Sequence, residues 1–154
     1  MTGQRHDLGA SFARLTRAMI EAEAPILRAH GLEMWDYVVL GALESTAAPT
    51  QSQLAAAVRR DKTRLIPILD RLESQRLLSR TPDPADRRNR VVALTDEGLA
   101  KLTSCRKAIR AMETGFLTTV PPAKRRAFVE VREQLVELTE SGRRRPDDPA
   151  GVDL

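Results

Sequence analysis

Apolar side chains near the start of the chain recur at alternating spacings of four and three residues, and this periodicity constrains the fold more than any other feature. The positions are Leu8, Phe12, Leu15, Met19, Ala22 and Ile26. Such a stripe lies along one side of an α-helix, whereas a half-buried strand alternates every second residue. Aromatic residues make up only 3% of the chain, which also favours packed helices over a β-sandwich. We therefore predict a mainly helical chain.

The same spacing returns near the end of the chain, on either side of Pro121 and Pro122. It runs through Leu102, Cys105, Ile109, Met112 and Phe116, and then through Phe128, Val131, Leu135 and Leu138. Helices at the two ends can pack together as a layer whose remaining apolar surface is covered by a second subunit. The predicted dimer-interface residues are Leu8, Phe12, Leu15, Phe128, Val131, Leu135 and Leu138.

The middle of the chain carries signals for short helices. A helix is predicted from Met34 to about Glu44, and Thr50 followed by Gln53 forms a capping box that begins a third helix. Asp61 can cap a fourth helix. Pro67 lies inside that fourth helix and predicts a local kink or an early tight turn there.

A β-hairpin is predicted after the fourth helix. The segments "LLSRT" and "RVVALT" are rich in strand-forming residues, and the link between them contains Pro, Asp and Asn. Thr95 then begins a long helix, with Asp96 and Glu97 at its positive end. The predicted fold is mainly α with a small β-hairpin wing (α+β), in which a winged helix-turn-helix is flanked by a dimerisation layer.

Basic residues cluster in this central segment, although 25 Lys and Arg against 21 Asp and Glu give a net charge of only +4. Lys62, Thr63 and Arg64 begin the fourth helix, and an α-helix of this size fits the major groove of DNA. Arg87, Arg88 and Arg90 lie in the hairpin loop, where a guanidinium can enter a narrow minor groove. The pattern predicts DNA binding.

The run from Leu54 to Gly98 resembles the winged helix-turn-helix of the MarR family of bacterial transcription regulators. The resemblance rests on "TQSQLAAAV", "TRLIPILDRLESQRLLSR" and "DPADRRNRVVALTDEG". The last of these contains the family's wing pattern of Asp-x-Arg, five residues and Leu-Thr, here at Asp86, Arg88, Leu94 and Thr95.

The resemblance implies a ligand-responsive repressor that acts as a homodimer on a palindromic operator and responds to a small phenolic or anionic effector. It implies base reading by Lys62, Thr63 and Arg64. It implies a DNA-contacting wing role for Asp86 and Arg88. From the residues themselves, we expect Asp86 to hold the Arg88 side chain extended and to leave Arg87 and Arg90 for the DNA backbone. It also implies a dimerisation helix in residues 1–32, a DNA-binding lobe in 33–96, dimerisation helices in 97–140 and a disordered tail in 141–154.

Two positions depart from the family pattern. The family usually has Gly where Arg76 stands at the end of the recognition helix, so the helix is expected to end differently here. Pro67 is uncommon in the middle of such a helix, and base reading is therefore assigned no further than Arg64.

Several residues keep two interpretations. Gln51 and Ser52 either contact phosphate or only cap the third helix, and Arg59 and Arg60 either contact phosphate or are surface charges. A ligand cleft could be formed by His30, Met34, Trp35 and Tyr37, which could equally be core and interface residues. Cys105 lies on an apolar stripe, so we expect a packed thiol rather than a redox sensor.

Other classes of function have little support. Two His and one Cys show no metal-ligand spacing, and no glycine-rich phosphate loop is present, so no enzyme, metal site or cofactor is predicted. No apolar run of about 18 residues could cross a membrane, and a soluble cytoplasmic protein is expected. The alternative function is a winged helix that binds DNA without sequence preference, as an architectural module, or that binds protein.

Overall fold

The structure is a computed structural model that describes residues 7–141. The element order is α1 (Leu8–Ala29), α2 (Met34–Ser45), α3 (Gln51–Ala57), α4 (Lys62–Ser74), β1 (Leu78–Pro82), β2 (Arg90–Leu94), α5 (Asp96–Leu117) and α6 (Pro122–Ser141). A mainly helical chain with one hairpin is therefore confirmed. Ser141 is the last residue of α6, and residues 142–154 of the tail lie outside the described part of the chain.

Side chains cap the helices at the positions that the sequence indicates. The Thr50 hydroxyl accepts from the Gln53 backbone N–H at 3.2 Å, and the Gln53 side chain accepts from the Thr50 N–H at 2.9 Å. Asp61 accepts from the Arg64 N–H at 3.0 Å and caps α4. Each bond satisfies a backbone donor that the first turn of a helix leaves without a partner. These two predictions are confirmed.

Two helices of the helix-turn-helix end on arginines in the left-handed conformation. Arg59 follows α3 with φ 53°, and Arg76 follows α4 with φ 60°. After α4, the Arg76 N–H donates to the Glu73 carbonyl and the Leu77 N–H donates to the Leu72 carbonyl, at 2.9 Å each. This is the Schellman arrangement that glycine usually completes, and a side chain there costs about 1 kcal/mol. The expectation that the helix ends differently at Arg76 is therefore wrong.

The apolar core lies in the compact unit that ends at Met112. The fully buried side chains include residues from α2, α3, α4, both strands and α5. They are Val39, Leu40, Leu54, Leu65, Leu69, Leu72, Leu78, Val92, Leu102 and Cys105. Cys105 is packed as expected, and burial raises the pKa of its thiol. This core fixes the helix-turn-helix and the hairpin against each other.

The hairpin is antiparallel and is tied to the helix-turn-helix by a third short segment. Leu78 pairs with Leu94, and the register runs to Pro82 opposite Arg90. On the other edge of β2, the Val92 N–H donates to the Pro49 carbonyl at 2.9 Å, and Thr50 forms a bridge with Val91. Because residues 49–50 lead directly into α3, the base of the hairpin is joined to the start of that helix.

The second compact unit begins at Glu113 and contains α6. Pro122 is the first residue of α6, where a missing backbone N–H costs nothing. None of the residues of α6, all of which the structure describes, is buried in the single chain. Between residues 7 and 141, no helix is both long and apolar enough to cross a membrane.

Candidate nucleic-acid interface

The start of α4 presents three exposed polar side chains, two of which contact the capping residue Asp61. Lys62, Thr63 and Arg64 are all exposed. Asp61 accepts a hydrogen bond from the Thr63 hydroxyl, and its other carboxylate oxygen lies 3.3 Å from Arg64 Nε. The Thr63 hydroxyl is the main reason that the pKa of Asp61 lies below its usual range, with the Arg64 backbone N–H next. The cap therefore contacts Thr63 and Arg64, two of the three side chains that the sequence assigns to base reading.

The rest of α4 has one buried and one exposed side. Leu65, Ile68, Leu69 and Leu72 are buried, as the sequence predicts. Pro67 is exposed, and α4 continues through it from Lys62 to Ser74, so the expectation of an early tight turn at Pro67 is wrong. The helix therefore continues beyond Arg64 and past Pro67 to Ser74.

The tip of the wing, residues 83–89, is organised by backbone hydrogen bonds. Asp86 accepts from the Arg88 backbone N–H at 3.0 Å and from Asn89 Nδ2 at 3.4 Å. The Asp83 N–H donates to the Asn89 carbonyl at 2.9 Å, which closes the loop. Asp86 thus shapes the turn and does not hold the Arg88 guanidinium, contrary to expectation, because the nearby backbone donor competes for the carboxylate.

This arrangement leaves two arginine side chains available. Arg87 and Arg88 are exposed, and within residues 7–141 neither guanidinium forms an ion pair with a carboxylate. Arg90, at the start of β2, is also exposed; the pKa of Glu73 is lowered chiefly by a hydrogen bond from Arg80, to which the charge of Arg90 adds. The wing tip therefore presents two exposed guanidinium groups, with the exposed Arg90 next to them in sequence.

Arg80, which the sequence analysis did not single out, joins the wing to α4. Its side chain is only 12% exposed and donates to Glu73 and Asp70, each at 2.5 Å, and to the Gln51 side chain at 3.4 Å. These hydrogen bonds raise the pKa of Arg80 and lower that of Glu73. A signal was present, since alternation along β1 puts Arg80 on the same side as buried Leu78.

The base of the wing is closed by the Leu-Thr-Asp-Glu-Gly segment. The Thr95 hydroxyl donates to the Arg76 carbonyl at 2.7 Å and accepts from the Gly98 N–H at 3.0 Å. The Thr95 N–H donates to the Leu77 carbonyl at 3.2 Å. A Cβ on Gly98 would lie 1.9 Å from that same carbonyl oxygen. This segment therefore joins the end of α4 to the start of α5, and it requires glycine.

The residues proposed for phosphate contact differ in their surroundings. Ser52 and Arg59 are exposed, whereas Gln51 is half-buried beside Arg80. The Arg60 guanidinium lies 4.2 Å from the centre of the Trp35 ring in a cation–π contact. Of these four residues, Ser52 and Arg59 have exposed side chains, and within residues 7–141 neither side chain has a described hydrogen-bond or ion-pair partner.

A buried carboxylate in α2 is a second feature that the sequence analysis missed. Asp36 is 1% exposed, accepts from the Glu33 backbone N–H at 2.8 Å and from Arg71 of α4 at 2.6 Å. Glu33 also lies 3.3 Å from the same guanidinium. Asp36 is the main cause of the raised pKa of Arg71. This ion pair connects α2 with α4.

A cavity of about 260 Å³ opens between α1 and α2. Its lining residues are Ile20, Glu23, Ala24, Leu27, Arg28, Leu32, Glu33 and Met34. Of the four residues suggested for a ligand cleft, Met34 is the one that lines it. The structure does not bring the other three to this cavity: His30 hydrogen-bonds to Ser104 at 3.2 Å, Trp35 lies beneath Arg60, and Tyr37 packs on the core.

The residues suggested for a dimer interface are all exposed in the single chain. On α1 these are Leu8, Phe12 and Leu15. On α6 they are Phe128, Val131, Leu135 and Leu138. Each helix therefore leaves an apolar stripe uncovered, which is unusual for a monomeric protein.

Comparison with known proteins extends this description. A family model described as "MarR family" matches residues 32–89. The repressor NicR of Pseudomonas putida is 33% identical over 84 residues, which cover 53% of this chain and 53% of NicR. The chain thus spans about half the length of this curated relative.

Solved structures share the fold over more of the chain. The repressor CouR of Rhodococcus jostii RHA1, solved bound to a 23-mer DNA duplex, has a TM-score of 0.73 at 24% identity and covers 84% of this chain and 92% of its own. BpsR of Bordetella bronchiseptica, whose DNA binding is regulated by 6-hydroxynicotinic acid, has a TM-score of 0.69 at 23% identity and covers 86% and 95%. Residues 32–89 of the chain thus match the MarR family model, and the chain shares the winged helix-turn-helix fold of these solved structures.

Proposed function

We propose that this protein is a sequence-specific DNA-binding repressor that acts in the cytoplasm as a homodimer on a palindromic operator. The observation that carries the proposal is the pair of exposed, unpaired guanidinium groups of Arg87 and Arg88 at the wing tip. They lie on the same helix-turn-helix unit as Lys62, Thr63 and Arg64, and no side chain of residues 7–141 neutralises the two wing arginines.

The two basic elements suit different grooves. A recognition helix enters the major groove with its N-terminal residues against the base edges, which is the end of α4 that carries Lys62 to Arg64. A slim arginine at a loop tip suits the minor groove, where a narrow width concentrates negative potential. We assign phosphate contacts to Ser52 and Arg59. The Gln51 side chain instead accepts a hydrogen bond from Arg80, and the Arg60 guanidinium lies over the Trp35 ring.

The dimer is supported by the uncovered apolar stripes of α1 and α6. A two-fold symmetric dimer buries the same patch on each subunit. It would present two copies of α4 to half-sites roughly 34 Å apart, about one turn of DNA. A palindromic operator follows from that symmetry.

Ligand response is supported by the position of the cavity between α1 and α2. Glu33 lines the cavity and also lies 3.3 Å from Arg71 of the recognition helix. Arg28, which lines the cavity, is a cation that suits a carboxylate or phenolate. CouR has been solved bound to p-coumaroyl-CoA, and the DNA binding of BpsR is regulated by 6-hydroxynicotinic acid. A small phenolic or anionic effector that shifts Glu33 would change the support of α4.

The proposal is tested by fluorescence anisotropy with the DNA upstream of the gene and with the tightest duplex selected from a random pool. Arg88→Ala should weaken specific binding by about tenfold or more, because each protomer loses a charge-assisted contact. Arg17→Ala, an equal change of charge on exposed α1, serves as the matched control and should bind like the wild type.

Two outcomes would contradict the proposal. If selected and unrelated duplexes bind equally, the protein is a non-specific architectural binder or binds protein instead. If Arg88→Ala and Arg17→Ala weaken binding equally, the wing has no special role and only total charge matters.

A further inference from the structure

Pro67 lies on the exposed side of α4. It lies one turn after Thr63, and both residues are exposed, opposite the stripe of Leu65, Ile68 and Leu69 that is buried in the core. With 3.6 residues per turn, residues four apart lie on the same side of a helix. Pro67 thus extends the surface that Thr63 begins.

The presence of proline here is costly to the helix. Proline has no N–H to donate to the Thr63 carbonyl, and its ring crowds that carbonyl. The ring is exposed, so burial in the core does not offset this cost. Pro25 in α1 is likewise exposed inside a helix, which makes it a matched reference for a proline away from the recognition helix.

The chemistry of the ring limits what it can recognise in DNA. It offers only methylene groups, without a donor or acceptor. Among the base edges of the major groove, the C5-methyl of thymine is the apolar group available for such a contact. A guanine or cytosine edge placed against the ring would lose water without gaining a hydrogen bond.

We propose that Pro67 is a specificity-determining residue that contacts the methyl group of a thymine in each half-site. This inference rests on the proposed function, and it adds a base-reading residue to those at the N-terminal end of α4. Thr63 and Pro67 together would read neighbouring bases, one through a hydroxyl and the other through an apolar ring.

The test uses the tightest duplex from random-pool selection and versions in which single thymines are replaced by deoxyuridine, which lacks the methyl group. For the wild-type protein, one replacement per half-site should weaken binding about three- to fivefold, the loss expected for one buried methyl. For Pro67→Ser, the same replacement should have no effect. Pro25→Ser should respond like the wild type.

The outcomes separate this inference from the function on which it rests. If the wild type binds specifically but no thymine is sensitive to loss of its methyl, or if Pro67→Ser keeps the same sensitivity, the inference is wrong and the proposed function stands. If no duplex is bound specifically, the proposed function fails and this inference fails with it. Pro67→Ser restores a backbone N–H to α4, so loss of folding does not confuse the comparison, and circular dichroism checks this.

Discussion

Gly98→Ala provides the sharpest test of the way in which the base of the wing is closed. A Cβ at this position would lie 1.9 Å from the Leu77 carbonyl oxygen and 2.8 Å from Leu94 Cδ1. Real Cβ contacts essentially never fall below 3.0 Å, so backbone must move by more than 1 Å. The same carbonyl accepts the Thr95 N–H, and the shift would stretch that hydrogen bond as well.

The expected loss of stability can be worked out from these terms. Overpacking against backbone costs about 1–3 kcal/mol, and a weakened hydrogen bond costs about 1 kcal/mol. Alanine returns up to about 1 kcal/mol in helix propensity. The net loss is about 1–3 kcal/mol, which lowers the Tm of a chain of this size by about 2–12 °C.

Thermal unfolding followed by circular dichroism measures this change, at one fixed protein concentration because a dimer's Tm depends on concentration. Gly41→Ala in α2 is the matched control, since nothing lies within 4 Å of its added Cβ. That variant should keep or raise the Tm. If Gly98→Ala is as stable as Gly41→Ala, the close approach of Leu77 to α5 is wrong.

Three further expectations concern conformation and charge. Arg76→Gly should stabilise the fold by up to about 1 kcal/mol and raise the Tm by a few degrees, because glycine adopts a φ of 60° without strain. A lower Tm would show that the Arg76 side chain stabilises the fold. Asp36→Ala should lower the free energy of unfolding in urea by roughly 3 kcal/mol, because it leaves the Arg71 guanidinium without its buried partner. Adding Arg71→Met to this variant should recover part of that loss, and purely additive effects of the two substitutions would refute the pairing. Glu73 has a lowered pKa, so its contribution to stability is complete above its ordinary pKa of 4.5 and is lost as the pH falls below that value. In Arg80→Met, carboxyl NMR should show the Glu73 pKa returning toward 4.5, and an unchanged pKa would exclude the ion pair with Arg80 as the cause of the shift.

Local signals account for the parts of the fold that the sequence predicted. The capping box at Thr50, the cap at Asp61 and the turn into α5 at Thr95 each involve residues within three positions of one another. Their chemistry is decided by neighbours along the chain, so it can be read without knowing the tertiary fold. The order of elements followed from these signals and from the periodicity of the apolar residues.

The missed features depend on contacts between distant segments. Asp36 pairs with Arg71 from 35 positions away, and Arg80 reaches Gln51 from 29 positions away. Neither pair has a local signature. The expectation for Asp86 failed for the opposite reason, because a backbone donor two residues away was closer than the Arg88 side chain. The DNA-contacting roles of the wing and of α4 remain predictions.

The anchoring of the wing has a consequence for how the sequence of its tip can change over time. Val92 is tied to Pro49, Arg80 to α4, and Thr95 to the end of α4, and all three ties lie below the tip. Residues 83–89 carry none of them. If the proposed function holds, substitutions and even insertions in this loop can therefore alter which DNA is preferred while the strand register is preserved. Under that proposal, the wing tip is the place where directed evolution of a new operator preference should begin.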